Sequence, residues 1–272
     1  MVITSKDNPR IKQLAKLYSN RRYRRENGLF VIEGIRGCVD AVLDDVENGG
    51  IISVEGVYYV EGTFDNELEW FHEKLEKLGE NKIFVITREI ADKISDTDSC
   101  QGVFVAAKCM DKPFSEEALK AGGKYLILDE LQDPGNLGTM IRTCDAMGLD
   151  GIVLAGNCVD LYNPKTVRSA VGSMPRVDIF VEKDFERVAE TFALKGIPTA
   201  AAVIEGGMNV MKYDFSKGCA VVIGNEGRGI PKAHVEMCRD KVSIAMKGRH
   251  IDSLNAAAAA TIFLWEMSGR EE

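Results

Sequence analysis

The chain has 272 residues, of which 45% are hydrophobic and 28% charged, with a net charge of −8. This is ordinary globular composition, long enough for one large domain or two of usual size. No apolar run approaches the roughly 18 residues of a membrane span, and the first residues, MVITSKDNPRIKQLAKLY, lack the apolar core of a signal peptide. A cytoplasmic protein away from membranes is expected.

Residues 8–25 predict a basic amphipathic helix. Residues 1–36 hold nine Lys or Arg against three acids, which leaves −14 for the rest of the chain. A basic block on an acidic protein suits local phosphate binding; the alternative is a solvated helix face. NRRYRRENG sets a tyrosine among four arginines, a pattern that suits stacking beside phosphate contacts. The candidate RNA-binding residues are Lys12, Lys16, Arg21, Arg22, Arg24 and Arg25.

GLFVIEG then predicts a short buried strand, followed by a helix with Ile35, Val39, Val42 and Leu43 on one side. ISVEGVYYV, KIFVIT and GVFVAAK predict further strands, with a helix over 66–78 between the first two. Residues 1–106 thus form a small α/β domain. The polar stretch CMDKPFSEEALKAGG reads as a linker, placed at 107–121.

From residue 122 to 272 strands and helices alternate. KYLILD, GIVLAG, RVDIFV, PTAAAVI, CAVVIG and KVSIAM lack a two-residue period, so they predict strands buried on both faces. Repeated βα units imply an α/β domain with a mainly parallel sheet and helices on both faces. Seven scattered cysteines, an odd count without a CxxC pair, argue against a disulfide framework and against a zinc site. His72, His234 and His250 are too far apart to form a ligand cluster and are expected at the surface; no metal is expected.

Three segments of this second domain could carry chemistry. In LQDPGNLGTMIRTCDAMG, Leu137, Met140, Ile141, Cys144 and Met147 share one helical face, and Arg142 lies nearly opposite. Asn136 stands where an N-cap is expected. In AVVIGNEGRGIP an apolar strand runs into Gly224, Asn225, Glu226, Gly227, Arg228 and Gly229; the three glycines would let backbone approach a ligand. The spacing is not GxGxxG, which argues against a nucleotide-dependent oxidoreductase. In VSIAMKGRHIDSLNAAAAATIFLWE a strand leads through a loop to an Ala-rich helix, capped by Asp252 or Ser253 with Asn255 in its first turn. Each loop alone could be a plain strand-to-helix turn. Three of them at strand ends converge where ligands bind in open parallel sheets.

In this order and spacing, the three segments resemble the signature motifs of the SpoU, or TrmH-like, branch of the SPOUT methyltransferases. LFVIEGIRGCVDAV resembles the start of the L30e-like RNA-binding domain that precedes many of those catalytic domains. The resemblance spans nearly the whole chain. It implies S-adenosylmethionine-dependent methylation of a ribose 2′-hydroxyl in RNA, a homodimer formed through the catalytic domain, and a C-terminal trefoil knot that generic topology rules would not predict. It implies catalytic roles for Asn136, Arg142, Glu226, Ser253 and Asn255. Cofactor contacts would fall on Gly224, Asn225, Gly229, Ile244, Met246, Leu254 and Asn255, and RNA contact also on Arg142. Ala245 stands where the family usually has proline, and Ala257 replaces a frequent small polar residue. The extra N-terminal domain favours rRNA, most of all 23S rRNA, over tRNA. A non-catalytic RNA-binding protein on the same fold is the other alternative, and the intact set of Asn136, Arg142, Glu226 and Asn255 argues against it.

Overall fold

A computed structural model describes residues 1–47, 50–64, 70–170, 172–246 and 253–269. The chain divides into two compact units, Met1–Met110 with Asp160–Pro175, and Asp111–Val159 with Arg176–Glu272.

The first unit opens with β1 (Val2–Ile3) and α1 (Pro9–Ser19). Asn8 caps α1 by accepting from Arg10 N–H at 2.9 Å, and Pro9 sits at its first position, where a missing N–H costs nothing. The expected single basic helix breaks at Asn20. Its extended backbone ends α1, and its side chain accepts from Tyr23 N–H at 3.0 Å to start α2 (Arg21–Asn27). Gly28, at φ +62°, ends α2 in the left-handed region. β2 (Leu29–Glu33), α3 (Ile35–Glu47), β3 (Val54–Val60), α4 (Phe71–Leu78), β4 (Ile83–Ile86), α5 (Arg88–Ile94) and β5 (Val103–Lys108) follow. Of the helix expected over 66–78, residues 66–69 lie outside the described residues. The sheet order is β1-β4-β3-β5-β2, with β5 antiparallel to both neighbours. Ile11, Leu14, Leu17 and Tyr18 of α1 pack on it beside Phe84, Ile90 and Phe104.

The second unit begins at Asp111. β6 (Lys112–Pro113), β7 (Lys124–Asp129), α6 (Pro134–Ala146) and β8 (Gly151–Ala155) come first. The chain then gives residues 160–175, including α7 (Pro164–Ala170), to the first unit. These residues were expected to stay with the second domain. Asp160 makes a buried ion pair with Arg24, Arg168 a partly exposed one with Glu33, and α7 packs on β2, which together tie this segment to the first unit. β9 (Ile179–Glu182), α8 (Phe185–Leu194), β10 (Thr199–Ala202), β11 (Met208–Asn209), β12 (Cys219–Ile223), α9 (Lys232–Met237), β13 (Asp240–Ser243) and α10 (Ala256–Ser268) complete the unit.

All pairings in this sheet are parallel, in the order β11-β13-β10-β12-β7-β8-β9-β6. The six expected strands are all present, and central residues such as Leu126, Ile127, Val153, Val221 and Val222 are fully buried. The chain leaves β7 through β8 and β9, crosses, and returns to lay β12 against the other side of β7. The loops after β7, β12, β10 and β13 therefore emerge side by side at the carboxyl ends of adjacent strands. Such a reversal of strand order is where a parallel sheet opens a crevice. No described helix is long and apolar enough to cross a membrane.

Candidate active site

Asp133, not Asn136, caps α6. Its carboxylate accepts from Asn136 N–H at 2.7 Å, and Pro134 takes the first helical position. Asn136 is thus free to use its amide elsewhere. Leu137, Met140, Ile141 and Cys144 are fully buried, while Arg142 is exposed. Among the described residues, no ion pair or hydrogen bond holds its guanidinium.

The strand β12 ends at Ile223 and the chain turns back on itself at once. A Cβ on Gly224 would lie 2.4 Å from Gly229 C and Ile230 N. The loop's own closure is enough to require glycine there. Gly229, at φ +68°, completes the turn, and its N–H donates to Asn225 O at 2.8 Å. Asn225 Oδ1 accepts from Gly227 and Arg228 N–H at 3.0 and 3.1 Å, and its Nδ2 donates to Glu130 O at 3.0 Å.

Glu226 joins this loop to α6. Its Oε1 accepts from Asp133 N–H at 2.8 Å and from Asn136 Nδ2 at 3.1 Å; its Oε2 accepts from Gln132 N–H at 3.1 Å. Burial pushes its carboxyl up, but the N–H groups of Asp133 and of Glu226 itself, the Asn136 amide and Gln132 N–H outweigh that. The net result holds it below the usual carboxylate range, ionised at neutral pH. Asn136 Oδ1 accepts in turn from Asn255 Nδ2 at 3.1 Å. Asn255 is the N-cap of α10, with its Oδ1 accepting from Ala257 and Ala258 N–H. The expected cap at Ser253 is thereby replaced, and the alternative, Asp252, lies outside the described residues.

A cleft of about 1040 Å³ lies beside this network. Of the residues proposed from sequence, Gly224, Asn225, Glu226, Gly229, Ile244, Met246, Ser253 and Leu254 line it. Asn136 and Asn255 reach it through Glu226. Arg142 does not line it. Ile204, Ile223, Ile244, Leu254 and Phe263 supply apolar walls, the loop from 224 to 229 supplies polar backbone, and Glu205 and Glu226 supply negative charge. A flat purine suits the walls and backbone, and a cationic group suits the acids. Arg228 adds a cation to the same lining, so these residues offer S-adenosylmethionine room, apolar walls, acids for its cationic groups and a partner for its carboxylate.

Two features escaped the sequence. Glu130 follows β7 with a left-handed φ of +56° and accepts from Arg228 at 3.2 Å. His234, expected at the surface, lies 2.7 Å from the fully buried Asp129. Neither contact has a local sequence signal, because 98 and 105 residues separate the partners.

In the first unit, Lys12, Lys16, Arg22 and Arg25 are exposed on α1 and α2, and Lys16 lies over the Tyr23 ring. Arg21 is partly covered. Arg24 departs from expectation: it is 4% exposed, its Nη2 lies 2.5 Å from Asp160 Oδ2, and its Nη1 donates to the Leu17 and Tyr18 carbonyls. It is tied inside its own unit and removed from the exposed basic face. Nearby, Glu33 accepts from Tyr18, Ser95, Thr97 and Arg168, and this buried network pushes the Tyr18 phenol well up.

The MRM3-like substrate binding domain matches residues 8–105. The 23S rRNA (guanosine(2553)-2′-O)-methyltransferase of Bacillus subtilis is 29% identical, over 98% of this chain and 99% of that one. The 23S rRNA (uridine(2479)-2′-O)-methyltransferase of Streptomyces viridochromogenes is 31% identical, over 97% and 90%. Among solved structures, the SpoU methyltransferase AviRb of the same organism, in complex with AdoMet, superposes with a TM-score of 0.83 at 26% identity, covering 96% of this chain and 97% of that one. An AdoMet-bound rRNA methyltransferase from Sinorhizobium meliloti gives 0.81 at 28%, covering 98% and 97%. The SpoU rRNA Methylase family matches residues 123–265, more than half of the chain, and the chain belongs to that family.

Proposed function

We propose that this protein transfers a methyl group from S-adenosylmethionine to a ribose 2′-hydroxyl of 23S rRNA. The observation that carries the reading is the hydrogen-bonded line Glu226–Asn136–Asn255, which joins all three sequence motifs at the edge of one cleft. A fold kept only for RNA binding would not need three distant polar residues aligned there. Two full-length relatives are both named for 23S rRNA but for different nucleotides, so the RNA class carries over and the position does not.

The bound cofactor supplies a methyl group made electrophilic by its sulfonium. In this reading Gly224, Asn225, Gly229, Ile244, Met246, Leu254 and Asn255 hold it, and Glu226 and Ser253 set the loops around it. Asn136 and Asn255 orient the ribose so that its 2′-oxygen lies in line with the methyl, which converts an encounter into a positioned reaction. As the new O–C bond formed, the bond from the methyl to sulfur would break, S-adenosylhomocysteine would leave as the neutral thioether, and the 2′-hydroxyl proton would pass to solvent water. Arg142 keeps its own proton, because a guanidinium pKa exceeds about 12, and stabilises the developing alkoxide and the neighbouring phosphate.

Arg142 needs a second copy of the chain to do this. It lies on an exposed face of α6 with Thr139, and α10, which packs on α6, leaves Ala258, Thr261 and Trp265 exposed. α10 is apolar round nearly its whole circumference, the pattern of a helix covered on all sides. A homodimer through this face covers α10 and carries Arg142 to the partner's cleft. Lys12, Lys16, Arg21, Arg22 and Arg25 meet RNA phosphates. The trefoil knot and a cytoplasmic location belong to the same reading.

The test is calorimetry with S-adenosylmethionine and with NAD, followed by mapping of 2′-O-methyl groups in RNA from cells with and without the gene. Binding of S-adenosylmethionine alone and loss of one 23S rRNA methyl group are expected. Binding of NAD alone overturns the reading. A methyl group lost from tRNA instead keeps the chemistry and corrects the substrate.

A further inference from the structure

α9 follows the glycine loop directly, yet it is only six residues long, has no side-chain cap and buries none of its residues. Its fixed point is His234. The ring stacks on Phe185, with centroids 4.2 Å apart and planes 3° from parallel. Its Nδ1 hydrogen-bonds Asp129 Oδ2 at 2.7 Å, and because an ionised carboxylate only accepts, Nδ1–H is the donor to it. Asp129 is wholly buried at the end of β7, and among the described residues its other oxygen has no hydrogen-bond partner. Among the described residues His234 is therefore the one donor to a fully buried carboxylate, and buried carboxylates are held in place by such donors.

The loop from 224 to 230 consequently has two anchors. At its start, Asn225 and Glu226 are bonded to residues 130–136 by contacts open to solvent. At its end, Ile230 and Val235 press on the core and His234 reaches the buried Asp129. The first anchor lies on the loop after β7 and the start of α6, the second on the last residue of β7, and the loop held between them lines the cleft. Gly224 packs directly against Gly229 and Ile230. A shift of α9 thus passes straight into the backbone that lines the cofactor cleft.

We propose that Asp129 and His234 form a positioning pair that sets the cofactor loop for binding S-adenosylmethionine. This rests on the methyltransferase reading above. The pair touches neither substrate nor cofactor, so it governs cofactor affinity rather than the transfer step.

Two substitutions separate the hydrogen bond from the stack. His234→Phe keeps a ring on Phe185 and removes the donor. His234→Asn loses the ring and places an amide N–H where Nδ1 stood. Calorimetry with S-adenosylmethionine, thermal melting, and kcat and KM for the cofactor are measured on the full chain. For His234→Phe, Kd and KM for the cofactor should rise about tenfold, the size of one lost polar contact, with kcat at saturating cofactor retained. His234→Asn should recover most of that affinity. A phenylalanine variant that binds like wild type overturns the proposal, as does an asparagine variant that binds no better than phenylalanine. If the phenylalanine variant does not fold, the asparagine variant decides alone: near-wild-type affinity supports the pair and a tenfold loss overturns it. Wild-type protein that binds no S-adenosylmethionine removes the methyltransferase reading instead, so the two failures are distinct.

Discussion

Arg142 leaves α6 on the side away from Leu137, Met140, Ile141 and Cys144, so its helix packs without it. Replacing it should leave melting unchanged and stop methyl transfer. Arg142→Ala is expected to lower the single-turnover rate by about 10²–10³, the usual loss when one donor to a developing oxyanion is removed. Arg142→Lys should fail nearly as badly, because an ammonium keeps the charge but lacks the planar fork that spans phosphate and hydroxyl together. A lysine variant within a few-fold of wild type would reject that bidentate role, and an alanine variant that melts early would make the residue structural. The polar side of α6 was readable from its spacing alone. Which polar residue caps it was not: Asp133 and Asn136 are both good caps, and the choice depends on Glu226, 90 residues away, claiming the Asn136 amide.

The loop after β12 shows what an element needs from a single glycine. Gly224→Ala would place a methyl 2.4 Å from the backbone of Gly229 and Ile230, where no side chain can move aside. It should cost about 1–3 kcal/mol of stability, as overpacking does, and weaken S-adenosylmethionine binding as well. Gly227→Ala is the control for folding, since its Cβ would find only Asn225 Oδ1 at 3.7 Å. Equal melting of the two variants would refute the close-packed turn. At this scale the long apolar runs announced their strands, because six buried parallel strands have no polar face to blur the pattern. The two-residue edge strands β6 and β11 stayed hidden, as so short a pairing is set by its neighbours β9 and β13. The break at Asn20 was visible only as a good capping residue inside a basic run, and the helical period across it concealed the turn.

Over the whole molecule, the largest departure from the linear reading is the return of residues 160–175 to the first unit. Charge counting placed Arg24 on a phosphate-binding face, but counting cannot tell an exposed arginine from a buried one. The Arg24 and Asp160 side chains are only 5% and 11% exposed. Tyr162 adds a ring contact to Phe30 at 4.7 Å, and its phenol oxygen accepts from Met110 N–H. Cutting the chain near residue 106 would therefore strip the partners from a segment that the remaining chain still carries. Asp160→Asn tests the tie without a truncation. It leaves the Arg24 charge buried and unpaired, a change that typically costs about 3–5 kcal/mol. Thermal melting should fall accordingly, RNA binding should weaken, and S-adenosylmethionine binding by the second unit should persist. The remaining RNA affinity should still drop steeply with added salt, since Lys12, Lys16, Arg22 and Arg25 stay exposed to phosphates. Arg24→Met combined with Asp160→Leu should recover part of the stability, because a buried ion pair replaced as a whole strands no charge. If Asp160→Asn melts like wild type, Arg24 is not held by this pair and returns to the candidates for RNA contact.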